Sequence, residues 1–390
     1  MKKFTADFIY TIDGPALRNH VIITDDDGTI KAIDSIKNHT DGDVLRLKGA
    51  VCPGFINTHT HLELSYLKGM ITPGQGLTQF IINLLEHRNA EKELIEESIL
   101  NADFDMWNNG IVAVGDIANT PDSIQVKVKS KIIYHTFIET LGYRDDKANT
   151  LFDESINLLQ LFKKNKLSAS IAPHAPYSLS RSLWEHISLY ISLAREITSI
   201  HIAESNEELN YCYDGSGPMN KILEYLKYPE DTFTPYGLRS IQAVWPYMEH
   251  AKQILMVHNT FMAQSDFDLM QDRKKSVWLC TCPNANLYIE KRLPDYALWK
   301  KNTDQICIGT DSLASNNGLS VWDEIISIHS KYSKLNIEEL LQWATLNGAK
   351  ALMIEDQLGS ITINKKPGFV HLEFDPDKQL IWDARIGRLG

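Results

Sequence analysis

The sequence predicts an α/β protein, a (β/α)8 TIM-like barrel with a small β-sandwich domain formed from both chain ends. Three observations predict this fold: eight short apolar runs between residues 50 and 312, helix-like segments in most of the connections between them, and β-branched segments at both ends of the chain. Near-continuous apolar runs are typical of buried parallel strands. Eight strands alternating with helices over about 260 residues fit a barrel, for which about 250 residues is typical.

The small domain is predicted over residues 1–50 and 360–390. Near the N-terminus, FTADFIYTI and HVIITDDDGTIKAID are rich in strand-forming residues, and Asp27-Gly28 between two of these strands is a typical hairpin turn. Near the C-terminus, GSITINKKPGFVHLEF and QLIWDARI predict short strands around a Lys-Pro-Gly turn. Both ends of the chain are therefore expected to form one unit.

The barrel is predicted over residues 51–359. Its eight strands are expected in the runs AVCPGFIN, IVAVGDIA, KIIYHTFIE, SASIAPH, ITSIHIAE, QILMVHN, SVWLCTCP and QICIGTDS. Helices are expected between them, for example in TLFDESINLLQLFKK and SRSLWEHISLYISLAREI, and two more, VWDEIISIHSKY and IEELLQWATLNGAKALM, follow the eighth strand. An open doubly wound sheet is the alternative, and the absence of a Gly-rich phosphate-binding sequence after the first strand disfavours it.

Composition and charge exclude several classes of protein. The chain has 390 residues, of which 43% are hydrophobic and 23% charged, and this composition is ordinary for a globular protein. Its net charge of −11 has the wrong sign for a general nucleic-acid binder. Five sparse cysteines do not predict a disulfide framework, and no apolar stretch is long enough for a membrane span, so a cytoplasmic protein is expected.

Polar residues at the ends of the predicted strands indicate where the chemistry takes place. The active site of such a barrel lies at the C-terminal ends of its strands, where His and Asp residues are commonly functional. Residues two apart in a strand lie on the same side, so the two imidazoles of His59-Thr60-His61 can approach one ion. The other strand-end residues are His174, His201 with Glu204 three residues later, His258 and Asp311.

Each of these residues also has a simpler interpretation. Two histidines around a threonine can be surface residues, a single strand-end histidine can be a packing residue, and Asp311 can cap a helix. Chance placement of all of them at strand ends is improbable. The pair Cys280 and Cys282 can be interpreted as metal ligands, but without partner cysteines we expect core thiols. His135 lies within the third strand, and the sequence leaves it unassigned.

Six segments together resemble a known family. PGFINTHTHLE, PHAPYS, HIAESNEE, VHNT, CPNANLYI and GTDSLASN are similar to the amidohydrolase superfamily, in its cytosine deaminase and chlorohydrolase-like branch. The resemblance covers about residues 45–370, and the motifs occur in the order that the family uses. It implies a barrel with a β-sandwich formed from both chain ends, and it points to deaminases that act on adenine-containing nucleosides and on aminodeoxyfutalosine.

By position, the resemblance makes His59, His61, His201 and Asp311 the ligands of one divalent metal, with His258 beside it. The fourth strand ends in IAPHAPY and lacks the lysine that bridges two metals in binuclear members, so a mononuclear site is expected. Three imidazoles and one carboxylate suit Zn²⁺, with Fe as an alternative. The segment KKPGFV also lacks an acidic residue that is common there in the family, which affects only local sheet geometry.

The predicted mechanism is hydrolytic deamination. A bound metal ion makes a water nucleophile available at neutral pH. Asp311 is expected to accept the proton of that water, His258 to hydrogen-bond to the attacking oxygen, and Glu204 to protonate a ring nitrogen as general acid. Glu204 can instead be an ordinary carboxylate at the start of a helix.

The predicted substrate is a purine nucleoside or a nucleoside-like molecule, aminodeoxyfutalosine or adenosine in type. Glu63 and His174 are candidate substrate contacts, and Arg144 is a candidate partner for a substrate carboxylate, although it can instead pair with Asp145 or Asp146. A chlorohydrolase, an amidohydrolase or a pyrimidine or triazine deaminase is the alternative, because the same metal ligands serve each reaction. A metal-binding protein without activity is disfavoured because Glu204 and Asp311 are both present. No nucleic-acid or membrane partner is expected. The resemblance favours a homo-oligomer, such as a dimer.

Overall fold

The computed structural model describes residues 1–389 and contains helices between most of its strands. The strands are β1 Lys2–Ile9, β2 His20–Thr24, β3 Ile30–Ser35, β4 Leu45–Pro53, β5 Phe55–Thr60, β6 Ile111–Ala118, β7 Ile133–Thr140, β8 Ser168–Pro173, β9 Ile197–Ile202, β10 Gln253–His258, β11 Val277–Thr281, β12 Ile306–Ile308, β13 Phe369–Glu373 and β14 Arg385–Leu389. The first seven helices are α1 Leu77–Glu86, α2 Lys92–Asn108, α3 Ile124–Lys129, α4 Ala148–Lys164, α5 Arg181–Ala194, α6 Asn206–Asp214 and α7 Asn220–Tyr225. The others are α8 Ser240–Met248, α9 Gln264–Leu269, α10 Pro283–Glu290, α11 Tyr296–Asn302, α12 Val321–Lys331, α13 Ile337–Gln342 and α14 Gly348–Ala351.

The two ends of the chain form one six-stranded sheet, in the order β14-β13-β4-β1-β2-β3. The predicted Asp27-Gly28 turn joins β2 and β3, with Gly28 at φ 91° and the Thr29 amide donating to Asp27 Oδ1 at 2.9 Å. The strand predicted before the Lys-Pro-Gly turn, in GSITIN, is absent. β13 begins at Phe369 after the turn, and a 3₁₀ turn precedes β14. β13 pairs with β4, so residues far apart in sequence share this sheet.

Each of the eight predicted apolar runs contains a strand of a parallel sheet. These strands form two four-stranded sheets, β5-β6-β7-β8 and β12-β11-β10-β9. The sheets meet at both edges: the His201 amide donates to the His174 carbonyl at 2.9 Å, and the Thr310 amide donates to the His59 carbonyl at 3.0 Å. All residues of β5, β6 and β9 are buried, and in β6 this explains the largely apolar run IVAVGDIA without alternation.

The predicted start of the first barrel strand, at residue 50, is wrong. Residues 50–53 belong to β4 of the six-stranded sheet, and β5 begins at Phe55 after Gly54. A Cβ atom at Gly54 would lie 2.3 Å from Val112 Cγ1 and 2.8 Å from the Pro367 carbonyl oxygen. Glycine therefore lets the chain pass directly from one sheet to the other, and one continuous apolar run contributes to both.

A buried ion pair joins the parallel sheet to its helical layer. Asp116 of β6 and Lys127 of α3 are both buried, with Lys127 Nζ 2.6 Å from Asp116 Oδ2. Lys127 also donates to Thr136 Oγ1 at 2.8 Å, and the Leu62 amide donates to Asp116 Oδ1 at 2.8 Å. The pair thereby fixes the backbone immediately after His61.

Lys127→Met is expected to lower the free energy of unfolding by about 3–5 kcal/mol, because it leaves the Asp116 carboxylate buried without its counter-charge. The double variant Asp116→Asn/Lys127→Met should recover much of this loss. Lys163→Met is the matched control, since the Lys163 side chain is 42% exposed in its ion pair with Glu196 and should cost at most about 1 kcal/mol. Chemical denaturation measures all three, and equal losses for the two single variants would contradict the prediction.

Among the helices of residues 1–389, none has the length and apolar character that crossing a membrane requires.

Candidate active site

The candidate site lies where the parallel strands end. His59 is within β5 and His61 follows it, His201 is within β9, His258 ends β10, and Asp311 follows β12. Parallel strands bring their C-terminal ends to the same edge of a sheet, which explains how residues so distant in sequence meet. The structure thus brings together all of the residues that the sequence predicts as metal ligands.

Three imidazole nitrogens converge on one point. His201 Nε2 lies 3.2 Å from His59 Nε2 and 3.1 Å from His61 Nε2. Asp311 Oδ1 lies 3.5 Å from the Nε2 atoms of both His59 and His61. Ligands held about 2.0–2.1 Å from one tetrahedral ion lie about 3.3 Å from each other. The three imidazole nitrogens therefore have the spacing of ligands on one divalent ion such as Zn²⁺, and Asp311 lies beside two of them.

Burial prepares the imidazoles for ligation. It lowers the pKa of His61 to about 4, with the neighbouring His59 adding to the effect. Burial also lowers the pKa of His201 well below its usual range. These rings are neutral near pH 7 and present lone pairs, as metal binding requires. Burial alone would raise the pKa of Asp311, but its hydrogen bond with His59 and the surrounding imidazoles hold that pKa below its usual range, so the carboxyl is an anion.

The backbone is strained at this edge. Ala203, His258, Asn259 and Asp311 all have positive φ, at 49°, 70°, 53° and 55°. Residues other than glycine rarely adopt a positive φ, and those that do are found preferentially at functional sites. The His201 ring is oriented by its Nδ1, which is 3.0 Å from the His174 carbonyl oxygen. Such contacts hold metal ligands in position.

Glu204 lies beside the histidine cluster as a buried carboxyl group. Burial raises the pKa of Glu204 well above its usual range, and the negative charge of Asp311 raises it further, so both effects favour the protonated form of the group. Its Oε1 is 3.6 Å from His258 Nε2, and His258 Nδ1 is 2.8 Å from Asn286 Oδ1. A protonated carboxyl group at this place can act as a general acid.

Glu208 fixes the backbone that carries Glu204. Its two carboxylate oxygens accept hydrogen bonds from the amides of Ala203 and Glu204, both at 2.8 Å. The Ser205 hydroxyl oxygen in turn accepts from the Glu208 amide at 3.0 Å and starts α6. The position of the Glu204 backbone is therefore set within the segment HIAESNEE.

The predicted substrate contacts differ in how they are engaged. His174 Nδ1 pairs with Ser178 Oγ at 2.7 Å, and His174 lines the same cavity as the metal cluster. Glu63 accepts from the Asn119 amide at 2.9 Å with one oxygen and from the Thr120 amide at 3.1 Å with the other. Arg144 also lines the cavity but forms an ion pair with Asp146 at 2.6 Å, with 49% of its side chain exposed.

A cavity of about 810 Å³ opens above the cluster. Its floor contains His61, His201, Glu204 and Asp311, and much of its wall is apolar, with α1 contributing side chains. The apolar residues of this wall are Leu64, Leu77, Phe80, Ile81, Leu84, Leu85, Leu141, Leu151, Leu158 and Leu226. The cavity size suits a small molecule.

Sequence reasoning missed Glu139, Asn119, Asn286 and Glu208. Glu139 ends the third predicted run and so satisfies the rule that identified the histidines, but a single strand-end carboxylate attracts little notice. All five cysteines are buried and free, and Cys280 Sγ lies 3.2 Å from Thr58 Oγ1, as expected for core thiols. The unassigned His135 bridges the hydroxyls of Ser168 and Ser170, at 2.8 and 2.9 Å.

The family model described as the amidohydrolase family matches residues 50–386. The match spans most of the chain, so this chain belongs to the amidohydrolase family and is a hydrolase. The resemblance stated from the six sequence segments is thereby confirmed.

Curated relatives cover most of this chain. The adenosine deaminase of Helicobacter pylori is 27% identical over 321 residues, which are 80% of this chain and 76% of the relative. The 5'-deoxyadenosine deaminase of Methanococcus maripaludis is 25% identical over 338 residues, 82% of this chain and 73% of the relative.

Solved structures share the fold at low identity. The aminofutalosine deaminase of Helicobacter pylori in complex with methylthio-coformycin has a TM-score of 0.84 at 23% identity, covering 99% of this chain and 97% of that chain. An adenosine deaminase from Xanthomonas campestris with bound zinc has a TM-score of 0.78 at 20% identity, covering 97% and 87%. An atrazine chlorohydrolase from Arthrobacter aurescens has a TM-score of 0.77 at 14% identity, covering 99% and 92%.

Proposed function

We propose that this protein is a metal-dependent hydrolytic deaminase that replaces the exocyclic amino group of an adenosine-like substrate with oxygen and releases ammonia. The observation that carries the proposal is Glu204, a buried carboxyl group 3.6 Å from His258 Nε2 at the floor of the cavity, where burial favours its protonated form. A ring nitrogen needs such a donor when water adds to the neighbouring carbon. The deaminase names of the relatives support the same reaction.

We propose one divalent ion, zinc in the first place and iron as the alternative, held by His59, His61, His201 and Asp311. When bound by these residues, such an ion would supply a water molecule of lowered pKa for attack at neutral pH. Three neutral imidazoles and one carboxylate are a donor set that suits zinc, and the metal choice in the cell also depends on supply.

The residues of the chain move the protons. Glu204 donates its proton to the ring nitrogen as the oxygen of water adds to the carbon that bears the amino group. Asp311 accepts the proton that the water loses and delivers it to the amino group, which leaves as ammonia. The remaining hydroxyl proton returns to Glu204 as the carbonyl forms, so both carboxyl groups regain their starting states. His258 hydrogen-bonds to the attacking oxygen and orients it.

We propose that the two four-stranded sheets form one eight-stranded barrel, residues 51–359, and that residues 1–50 and 360–390 form a β-sandwich domain. The backbone hydrogen bonds at both sheet edges support closure of the barrel. Because β4 extends to Pro53, the boundary between these two units lies slightly after residue 50. A homodimer in the cytoplasm, without a nucleic-acid partner, is the corresponding expectation for the whole protein.

A chlorohydrolase or a triazine or pyrimidine deaminase is the second candidate. The atrazine chlorohydrolase fold supports it, and attack by water does not itself select the leaving group. Purified protein should be assayed on adenosine, 5'-deoxyadenosine, aminodeoxyfutalosine, cytosine and a chlorinated triazine, with ammonia and chloride as readouts. Ammonia from the purine nucleosides supports the proposal, and release only from a pyrimidine or triazine overturns it.

His174, Glu63 and Arg144 are proposed substrate contacts. His174 and Arg144 line the cavity, and the Nδ1 of His174 is paired with Ser178. A contact with Glu63 requires a substrate group to replace one of the hydrogen bonds from the loop at Asn119 and Thr120.

Arg144→Met is expected to weaken turnover of carboxylated substrates such as aminodeoxyfutalosine far more than that of adenosine. Arginine binds a carboxylate through two parallel hydrogen bonds, and its pairing with Asp146 leaves it at the cavity where a stronger partner can recruit it. The ratio of kcat/KM for the two substrates should change by about tenfold or more. Equal losses for both substrates would refute the contact.

A further inference from the structure

One carboxylate oxygen in the cavity wall has no partner. Glu139 lies at the end of β7, lines the cavity and is 8% exposed. Its Oε2 accepts a hydrogen bond from Asn119 Nδ2 at 3.0 Å, whereas its Oε1 is buried and has no hydrogen-bond partner within residues 1–389. A buried acceptor without a donor is costly, and a bound molecule can supply that donor.

Groups near Glu139 do not satisfy this oxygen. His201 Nδ1 is 3.7 Å from Glu139 Oε1, but it lies closer to the His174 carbonyl oxygen, at 3.0 Å. Arg144, one of three basic residues that line the cavity, is paired with Asp146 at 2.6 Å. None of the three donates a hydrogen bond to this oxygen within residues 1–389, so the acceptor lacks a donor there.

Two carboxyl groups flank the histidine cluster on different sides. Glu204 is next to His258, at 3.6 Å, and Glu139 is next to His201 Nδ1, at 3.7 Å. A ligand whose reacting ring meets Glu204 must place another part of itself near Glu139. Adenosine has few donors besides its amino group, and these are the hydroxyls of its sugar.

We propose that Glu139 Oε1 accepts a hydrogen bond from a sugar hydroxyl of the bound nucleoside and thereby selects ribosylated substrates; this rests on the proposed deaminase function. Glu63 is less available for this contact, because its two oxygens already accept from the Asn119 and Thr120 amides. Glu63 instead fixes the loop whose Asn119 side chain orients Glu139.

A second metal ion is the competing occupant. Glu139, His174 and His201 offer ligand atoms within 4.8 Å of one another. However, the Nδ1 of His201 is directed to the His174 carbonyl as a donor, and its Nε2 belongs to the first cluster. Only two protein ligands then remain, which is too few for a structural or catalytic site of the usual kind.

The test compares adenosine with 2'-deoxyadenosine and 3'-deoxyadenosine on the metal-loaded protein. A hydrogen bond to a charged acceptor predicts that one deoxy analogue loses about ten- to a hundredfold in kcat/KM. In Glu139→Gln the amide oxygen keeps the Asn119 bond and the amide NH₂ group, a donor, replaces Oε1. This variant should raise KM for adenosine and treat adenosine and that analogue nearly alike, with kcat changed far less than KM.

Glu154→Gln is the control, since Glu154 is an exposed carboxylate on the same cavity and should leave the discrimination unchanged. Calorimetric binding of inosine, 2'-deoxyinosine and 3'-deoxyinosine gives a readout that does not need turnover. Equal discrimination in the wild type and in Glu139→Gln overturns the contact while deamination of adenosine still supports the function. If the protein binds nucleosides through Glu139 but does not deaminate them, only the proposed function is refuted. If it neither deaminates nucleosides nor binds them through Glu139, the function and the contact are both refuted. Two metal equivalents in the wild type that fall to one in Glu139→Gln would identify the metal site instead.

Discussion

Glu204→Gln is expected to reduce kcat by at least about two orders of magnitude, because glutamine keeps the size and hydrogen bonding of the side chain but has no acidic proton to donate. Burial and the charge of Asp311 raise the pKa of Glu204 well above its usual range, which favours the protonated form that a general acid requires. Metal content should remain at the wild-type level, since Glu204 lies outside the convergent nitrogens of His59, His61 and His201.

Glu207→Gln is the matched control for this prediction. Glu207 is on the same helix as Glu208, and its carboxylate accepts hydrogen bonds from the Thr78 amide and hydroxyl, at 2.8 and 2.6 Å, which glutamine can also accept. It should therefore keep wild-type turnover. If Glu204→Gln keeps most of its activity, the proton comes from another group, and His258 is the next candidate.

The strand ends of this protein could be predicted because the signal is local. His59 and His61 come at the end of one buried run, and His258 ends another. Chain geometry alone therefore places these side chains at the edge of the sheet where the active site lies. The boundary at Gly54 could not be predicted, because the apolar run continues through it and only the approach of Val112 and Pro367 reveals the change of sheet.

Contacts between elements could not be predicted either. Asn286 of α10 holds His258 across a distance of 28 residues in sequence. This contact depends on how α10 packs against the sheet. The partner of Arg144 was left open between two aspartates and a ligand, and in the structure Asp146 takes that place. An exposed arginine can form ion pairs of nearly equal free energy with several neighbours, so its sequence context does not determine which acidic residue it pairs with.

His61 is one of the three histidines whose Nε2 atoms converge in the candidate metal site. His61 Nε2 lies 3.1 Å from His201 Nε2 and 3.5 Å from Asp311 Oδ1. Burial lowers the pKa of His61 to about 4, so the neutral ring offers its lone pair to a cation without first losing a proton.

His61→Ala is accordingly expected to lower the metal content from about one equivalent per chain to near zero and to abolish turnover. Elemental analysis of protein purified without chelator, followed by competition with a chelator, measures this. His174→Ala is the control, because its ring is paired with Ser178 and lies outside the four proposed ligands, so the ion should be retained with wild-type resistance to the chelator. A reproducible two equivalents in the wild type, or full retention in His61→Ala, would refute the single site, because three convergent nitrogens and one carboxylate can saturate only one ion and cannot spare a ligand.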